Sequence, residues 1–231
     1  KSIFLWSGVG LLVAAGVWGV VSLSPPSQNN GRVISADPLS VPVDSTDHVK
    51  GNTEAAVTLI EYGDFQCPAC GAHFALLQQL ETDFCGQIQM VYRHYPLPIH
   101  RNAEEAARAA EAAGLQGKFW EMHDILFIQQ PDWSSEGNPK EKFIGYAESL
   151  DLNTEQFEND LDSDFVKGKV DRDNQAALQD QLNGTPSFFL NDQRIATPRS
   201  YEEYRQLLIQ ALGQEPIPTG EHTMEPESET P

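Results

Sequence analysis

Apolar positions along the chain recur with two different periods, and the switches between them mark out elements. Ala56-Val57-Thr58-Leu59-Ile60 is short, apolar and β-branched between polar flanks, which predicts a buried central strand. The turn Gly63-Asp64-Phe65-Gln66 follows, and a helix is expected from near Cys67. Pro68 suits its first turn, where the missing N–H has no partner to lose. Cys70, Phe74 and Leu77 recur at helical spacing and share a buried face. Gln87–Tyr92 returns to alternation, with Ile88, Met90 and Tyr92 on one side, and reads as a second strand. From Arg101 to about Leu182 the pattern is helical throughout. Asn102–Ala113 is rich in Ala and Glu and ends at Gly114, read as its C-cap. Lys118–Gln129 carries Phe119, Met122 and Leu126 on one face and stops at Pro131. Lys140–Leu150, Thr154–Leu161 and Asp164–Gln181 complete the helical stretch. Ser187–Leu190, Asn191-Asp192 and Gln193–Ile195 read as strand, turn, strand. Tyr201–Leu212 closes as a helix with Tyr204, Leu207, Leu208 and Leu212 on one face.

The flanks follow no such pattern. Ile3–Leu23 holds no charged residue. At ~1.5 Å per residue it makes a helix of roughly 32 Å, enough to cross a bilayer core. We read residues 1–23 as a transmembrane signal anchor, with a cleaved, secreted or periplasmic form as the alternative, because no small-residue cleavage site follows. Lys1 places its N-terminal side in the cytosol and the rest of the chain outside. Residues 24–54 carry Pro25, Pro26, Pro38 and Pro42 among polar residues and read as a linker. From 214 to 231 the chain is acidic and lacks aromatic residues, the composition of a disordered tail. That leaves 55–213 as one domain.

Net charge is −19, from 15 Lys+Arg against 34 Asp+Glu. This argues against nucleic-acid binding, which needs a basic footprint. Three cysteines are too few for a disulfide scaffold, so their spacing carries the information.

Cys67-Pro68-Ala69-Cys70 is the strongest chemical signal. A CxxC can be half a zinc site, a redox pair or a coincidence. No second CxxC or HxxxH accompanies it, and a zinc site normally needs four ligands. Its place, where a buried strand turns into a helix, favours redox chemistry. Free N–H groups and the helix dipole stabilise a thiolate on Cys67, while Cys70 lies one turn inward and shielded. An exposed attacker of low pKa and a shielded partner are what disulfide exchange requires. Glu61 ends the apolar strand. It is either a solvated strand-end carboxylate or a buried carboxyl that relays the Cys70 proton. In Gly184-Thr185-Pro186-Ser187, Pro186 is either a strand-entry proline or a cis-proline that turns Thr185 to pair with substrate. Cys85 reads as a small buried residue before the second strand, with a regulatory or intermolecular thiol as the alternative. His123 shares a face with Phe119 and Leu126 and reads as a packed, hydrogen-bonded histidine. His73 is placed to modulate the thiols, and His94 and His100 receive no role.

The segment Val57–Cys70 resembles the active-site strand and helix of DsbA-like thiol–disulfide oxidoreductases. Tyr92–Leu97 resembles the family's second strand, Gly117–Asp124 a helix of its insertion, and Gly184–Phe188 its cis-proline loop. The likeness covers about 50–213. It implies an α/β thioredoxin fold with an inserted helical domain (about 101–182), here preceded by the N-terminal transmembrane helix. By it, Cys67 is the nucleophile, Cys70 the resolving thiol, Glu61 the buried carboxylate, Pro186 the cis-proline and Thr185 its substrate-facing neighbour. The best-known oxidant of the family has a His where this chain has Ala69, so a less oxidising pair is expected here.

The expected function is a membrane-tethered, extracytoplasmic oxidoreductase that forms disulfides in reduced or misoxidised exported proteins. It needs no cofactor or metal, and a quinone-linked membrane partner reoxidises it. The alternatives are a reductase or isomerase of the same fold and a thiol-based metal-binding module.

Overall fold

A computed structural model describes residues 33–214. Strands β1 (Val33–Pro38), β2 (His48–Gly51) and β3 (Val57–Gly63) come first, then helix α1 (Pro68–Asp83) and strand β4 (Ile88–His94). Six helices follow: α2 (Ala103–Gly114), α3 (Phe119–Ile128), α4 (Gln130–Trp133), α5 (Lys140–Ser149), α6 (Thr154–Leu161) and α7 (Asp164–Gln179). Strands β5 (Ser187–Leu190) and β6 (Gln193–Ile195) and helix α8 (Tyr201–Ala211) close the chain.

The strands form one sheet in the order β1-β6-β5-β3-β4-β2. β3 pairs parallel with β4, Glu61 opposite Tyr92, and antiparallel with β5, Glu61 opposite Phe188. A parallel pair needs a covered crossover, which α1 supplies. Both faces of β3 are therefore buried, which is why its sequence is a continuous apolar run. Leu59 packs with Leu77 and Leu80 of α1 and Leu207 and Leu208 of α8. Ile60 and Tyr62 point the other way, among Val91, Ala176, Ala177 and Phe189. Glu61, two positions from Leu59, thus lies on the α1 face. The inserted helices have their own core around Phe65, Met122, Leu126, Trp133, Phe143 and Phe157, and the two cysteines belong to it. Ala106, Ala109, Ala110 and Ala113 let α2 run through that core at close range.

This is the thioredoxin-type α/β fold with a helical insertion expected from the sequence. Several boundaries differ. The presumed linker 24–54 contributes both edge strands: β1 pairs with β6 and β2 with β4. Buried Arg93 fastens this segment, donating from Nε and Nη2 to Asp47 and from Nη1 and Nη2 to the carbonyls of Val41 and Pro42. α2 continues through Gly114, and the left-handed residue is Gly117 at φ 77°. Cys85 is exposed, because Phe84 takes the buried place at the end of α1. Among the described residues no helix is long and apolar enough to cross a membrane. The Ile3–Leu23 span and the tail from 215 lie outside the described residues.

Candidate active site at the start of α1

Cys67 is the N-cap of α1, extended at φ −71° and ψ 121°, with Pro68 next and no side-chain cap. The first N–H groups of the helix are therefore left for the sulfur. Cys67 and Cys70 are free thiols. The Cys67 thiol is held down to about 5, first by the hydrogen bond from the Cys70 thiol and then by donors at Thr185 and at the N–H groups of Cys70 and Ala69, against the opposing effect of burial. Thr185 Oγ1 is buried with no partner beside the dithiol, and a Cys67 thiolate gives that hydroxyl an acceptor. Cys70 moves the other way, well above the ordinary thiol range, because burial and its hydrogen bond to Cys67 both favour the protonated form. The Asp64 N–H donates to its sulfur at 3.5 Å.

Cys67 is 6% exposed and Cys70 not at all. The attacker is thus more covered than its position at a helix end predicts, because the insertion packs over it. The Thr185–Pro186 bond is cis, and the Cys67 thiol faces the Thr185 carbonyl at 3.5 Å. Fold topology brings Cys67, Cys70 and the Thr185–Pro186 loop together, the arrangement that the resemblance implied.

Glu61 is a buried carboxyl under α1, 6% exposed, and its Oε1 has no hydrogen-bond partner. Burial, with a smaller contribution from the Cys67 charge, raises it to about 8. Close by, Gly63 allows the Tyr92 ring to pass: a Cβ there would sit 2.5 Å from the ring. His73 is partnered away from the thiols. Its Nδ1 pairs with the Tyr204 hydroxyl at 2.8 Å, and burial lowers its basicity.

The periodicity of the sequence missed the residues that hold the active-site turn. Asp64 is buried, accepts from the N–H groups of Gln66 and Leu97, and pairs with His100 Nδ1 at 2.7 Å. Gln130 Nε2 donates to the carbonyls of Phe65 and Cys67. Gln66 donates to Ser134 O and accepts from the Asn102 N–H. Only the acidic turn residue Asp64 left a signal in the sequence, since Asp commonly closes turns through its own carboxylate.

Among the described residues neither cysteine joins a set of three close metal-ligating side chains. His94, Glu111 and Asp173 do bring ligand atoms within 4.8 Å of one another. Both carboxylates are already partnered from within, because the Lys169 ammonium reaches Asp173 and His48 Nε2 hydrogen-bonds Glu111. Burial opposes the Glu111 charge, yet the hydrogen bonds from His48 and His94 hold its carboxyl well below the usual range.

A thioredoxin family model matches residues 44–210. The Na(+)/H(+) antiporter NhaA 1 of Salinispora arenicola is 40% identical over 200 residues, which is 80% of this chain and 30% of that protein. The Na(+)/H(+) antiporter NhaA of Herminiimonas arsenicoxydans is 39% identical over 158 residues, 68% of this chain and 24% of that one. The chain thus spans less than a third of the length of the curated relatives it matches. Oxidised BdbD from Bacillus subtilis superposes with a TM-score of 0.68 at 25% identity, covering 77% of this chain and 99% of that one. A thioredoxin-like oxidoreductase from Silicibacter pomeroyi gives 0.62 at 28% identity, covering 74% and 95%. The α-DsbA1 of Wolbachia pipientis gives 0.66 at 17% identity, covering 75% and 94%, a likeness of fold. With the matched family spanning β2 to β6, α1 and the cis-proline loop, the chain belongs to the thioredoxin family and has the DsbA-like thiol–disulfide oxidoreductase fold.

Proposed function

We propose that this chain forms disulfides in exported proteins through the Cys67–Cys70 pair. The observation that carries this reading is the split between the two thiols: Cys67 held near 5 and Cys70 pushed well above its ordinary range. A substrate thiolate attacks the Cys67 sulfur, the one with an exposed edge. The Cys67–Cys70 bond breaks, and Cys70 leaves as a thiolate that takes the Glu61 proton. A second substrate thiolate then attacks the substrate sulfur of the mixed disulfide and expels Cys67, a good leaving group because its thiolate is stabilised. Two electrons pass from the substrate to the pair. A membrane oxidant of the quinone-linked class takes them on, and the Ile3–Leu23 span tethers the domain beside it, outside the cytosol. Thr185 and Pro186 present the backbone edge against which an extended substrate lies.

The low Cys67 pKa favours the oxidase over the reductase, because it stabilises the reduced pair. Ala69 supplies no imidazolium, and the helix-end N–H groups and the Cys70 thiol take over that task. Equilibration with glutathione buffers, read by alkylation and mass, tests the direction. A potential near or above roughly −150 mV is expected, and one below about −230 mV makes the protein a reductase. Cys67→Ser is expected to abolish exchange, and full turnover in that variant sinks the mechanism.

A further inference from the structure

Glu61 has to gain or lose a proton each time the pair changes redox state, yet α1 and the sheet bury it. A cavity reaches it. Its volume is about 30 Å³, and Glu61, Tyr92, His123, Asp124, Lys50 and Glu81 are among its lining residues. Roughly 10–15 Å³ is enough to seat a water. Glu61 Oε1 and Tyr92 OH are both buried polar atoms with no protein partner, so a water in this cavity would find polar atoms to bind.

His123 stands between this interior and the surface. Phe65, Tyr92, Trp120 and Phe127 surround its ring. Its Nδ1 pairs with Asp124 Oδ1 at 2.8 Å. The other Asp124 oxygen accepts from Gln78 and lies 3.9 Å from Lys50 Nζ, which in turn pairs with Glu81 at 2.7 Å. Lys50, Glu81 and Asp124 are each about a quarter to a third exposed, so this mouth opens to solvent. At ~1.5 Å per residue, Glu81 is about 20 Å along α1 from Cys67. A protein lying over Cys67 and Thr185 leaves the mouth open.

We propose that Glu61 exchanges its proton with solvent through this cavity, with His123 as the carrier between cavity water and the Asp124–Lys50 mouth, while substrate covers Cys67. This rests on the reading of Glu61 as the partner of the Cys70 proton. His123 touches neither sulfur and acts through Glu61. Burial, with Lys50 on β2 and His94 on β4, lowers the basicity of the ring, so a proton it takes up is readily passed on, and Asp124 on its own helix opposes them. Glu61 on β3, Tyr92 on β4, and Gln78 and Glu81 on α1 complete the groups around the path.

Reaction of the reduced full chain with Ellman's reagent separates the steps. Cys67 attacks first and releases one thionitrobenzoate. Glu61 then sheds its proton through His123 and takes the one on Cys70. The Cys70 thiolate attacks Cys67, the second thionitrobenzoate leaves, and the Cys67–Cys70 bond forms. Cys85→Ala removes the exposed third thiol from the trace. In His123→Ala and His123→Gln the second phase is expected to slow roughly tenfold between pH 6 and 8 with the first unchanged. Added imidazole is expected to restore the second phase in His123→Ala. A second phase that is unchanged in both variants, or slowed together with the first and insensitive to imidazole, overturns the role of His123. Glu61→Gln separates the failures. If it slows the second phase while the His123 variants do not, the path is wrong and Glu61 keeps its part. If it leaves that phase unchanged, the reading of Glu61 falls as well.

Discussion

Glu61 and Cys67 depart from their ordinary acidities in opposite directions, and each departure has a signature in pH. A carboxyl raised from 4.5 to about 8 binds a proton in the folded chain that it lacks when unfolded. Across that window folding takes up a proton, so stability falls as pH rises. Below the unfolded value both states are protonated and the effect is absent. Glu61→Gln removes the titration. The variant is expected to melt higher than the parent, with a gap near zero at pH 4.5 that grows to on the order of 4 kcal/mol at pH 8. Thermal melts of the reduced chain across this range check it, and a gap independent of pH would falsify the buried, protonated carboxyl. The Cys67 thiol, lowered to about 5, has the opposite sign. Its thiolate stabilises the reduced fold fully above the unfolded thiol range, and that stability is lost as pH falls towards 5. Thiolate absorbance of the Cys85→Ala chain should titrate with a midpoint near 5, and a midpoint near 8.5 would remove the argument for an oxidase.

At the scale of elements, the site depends on the insertion. Gln130, at the start of α4, gives the carbonyls of Phe65 and Cys67 their donor, and Gln66 reaches back to Ser134 and Asn102. Gln130→Ala is expected to destabilise the chain by about 1–3 kcal/mol, since it leaves part-buried carbonyls unpaired. It should also raise the rate of Cys67 alkylation by loosening the cover over the sulfur, and an unchanged melt and alkylation rate would show that the clamp is idle. Elements of strong period were legible without such contacts. Thr154–Leu161 and Ser187–Leu190 have in the structure the bounds read from the chain. β2 was not legible, because it is four residues long, nowhere fully buried and follows a Pro-containing stretch, so no period forms. Cys67 and Cys70 were legible because a short motif marks them, and the cis form of Pro186 only through the family resemblance. His123 was legible as the packed, hydrogen-bonded histidine it is, but Gln130 and the orphaned Glu61 oxygen were not. What sets them apart is a neighbour distant in sequence, and a single chain does not record neighbours.

At the scale of the whole molecule, the sheet has two edges, and the region read as a tether supplies both. β1 covers β6, and β2 covers β4. Beneath them Arg93, 2% exposed, meets Asp47, also 2% exposed, in a two-point contact. Trp120 donates to Val49 O, which ties β2 to the insertion, and Lys50 brings its ammonium to the mouth of the cavity at Glu61. A chain begun at residue 55, where the apolar pattern starts, loses all of this. It takes from Arg93 its carboxylate and the Val41 and Pro42 carbonyls, and it bares β4 and β6 to pairing with other chains. A chain begun at residue 33 keeps every one of these contacts. The two lengths, 33–231 and 55–231, are therefore expected to differ sharply. The longer should melt cooperatively as a monomer, and the shorter should melt well below it and associate. Adding Asp47→Asn to the longer chain isolates the ion pair from the strand edges: it should lower the melt without association, because β1 and β2 still cover the sheet. Equal melts for the two lengths would mean that the domain ends where the hydrophobic pattern does, and that the edge strands are dispensable to the fold.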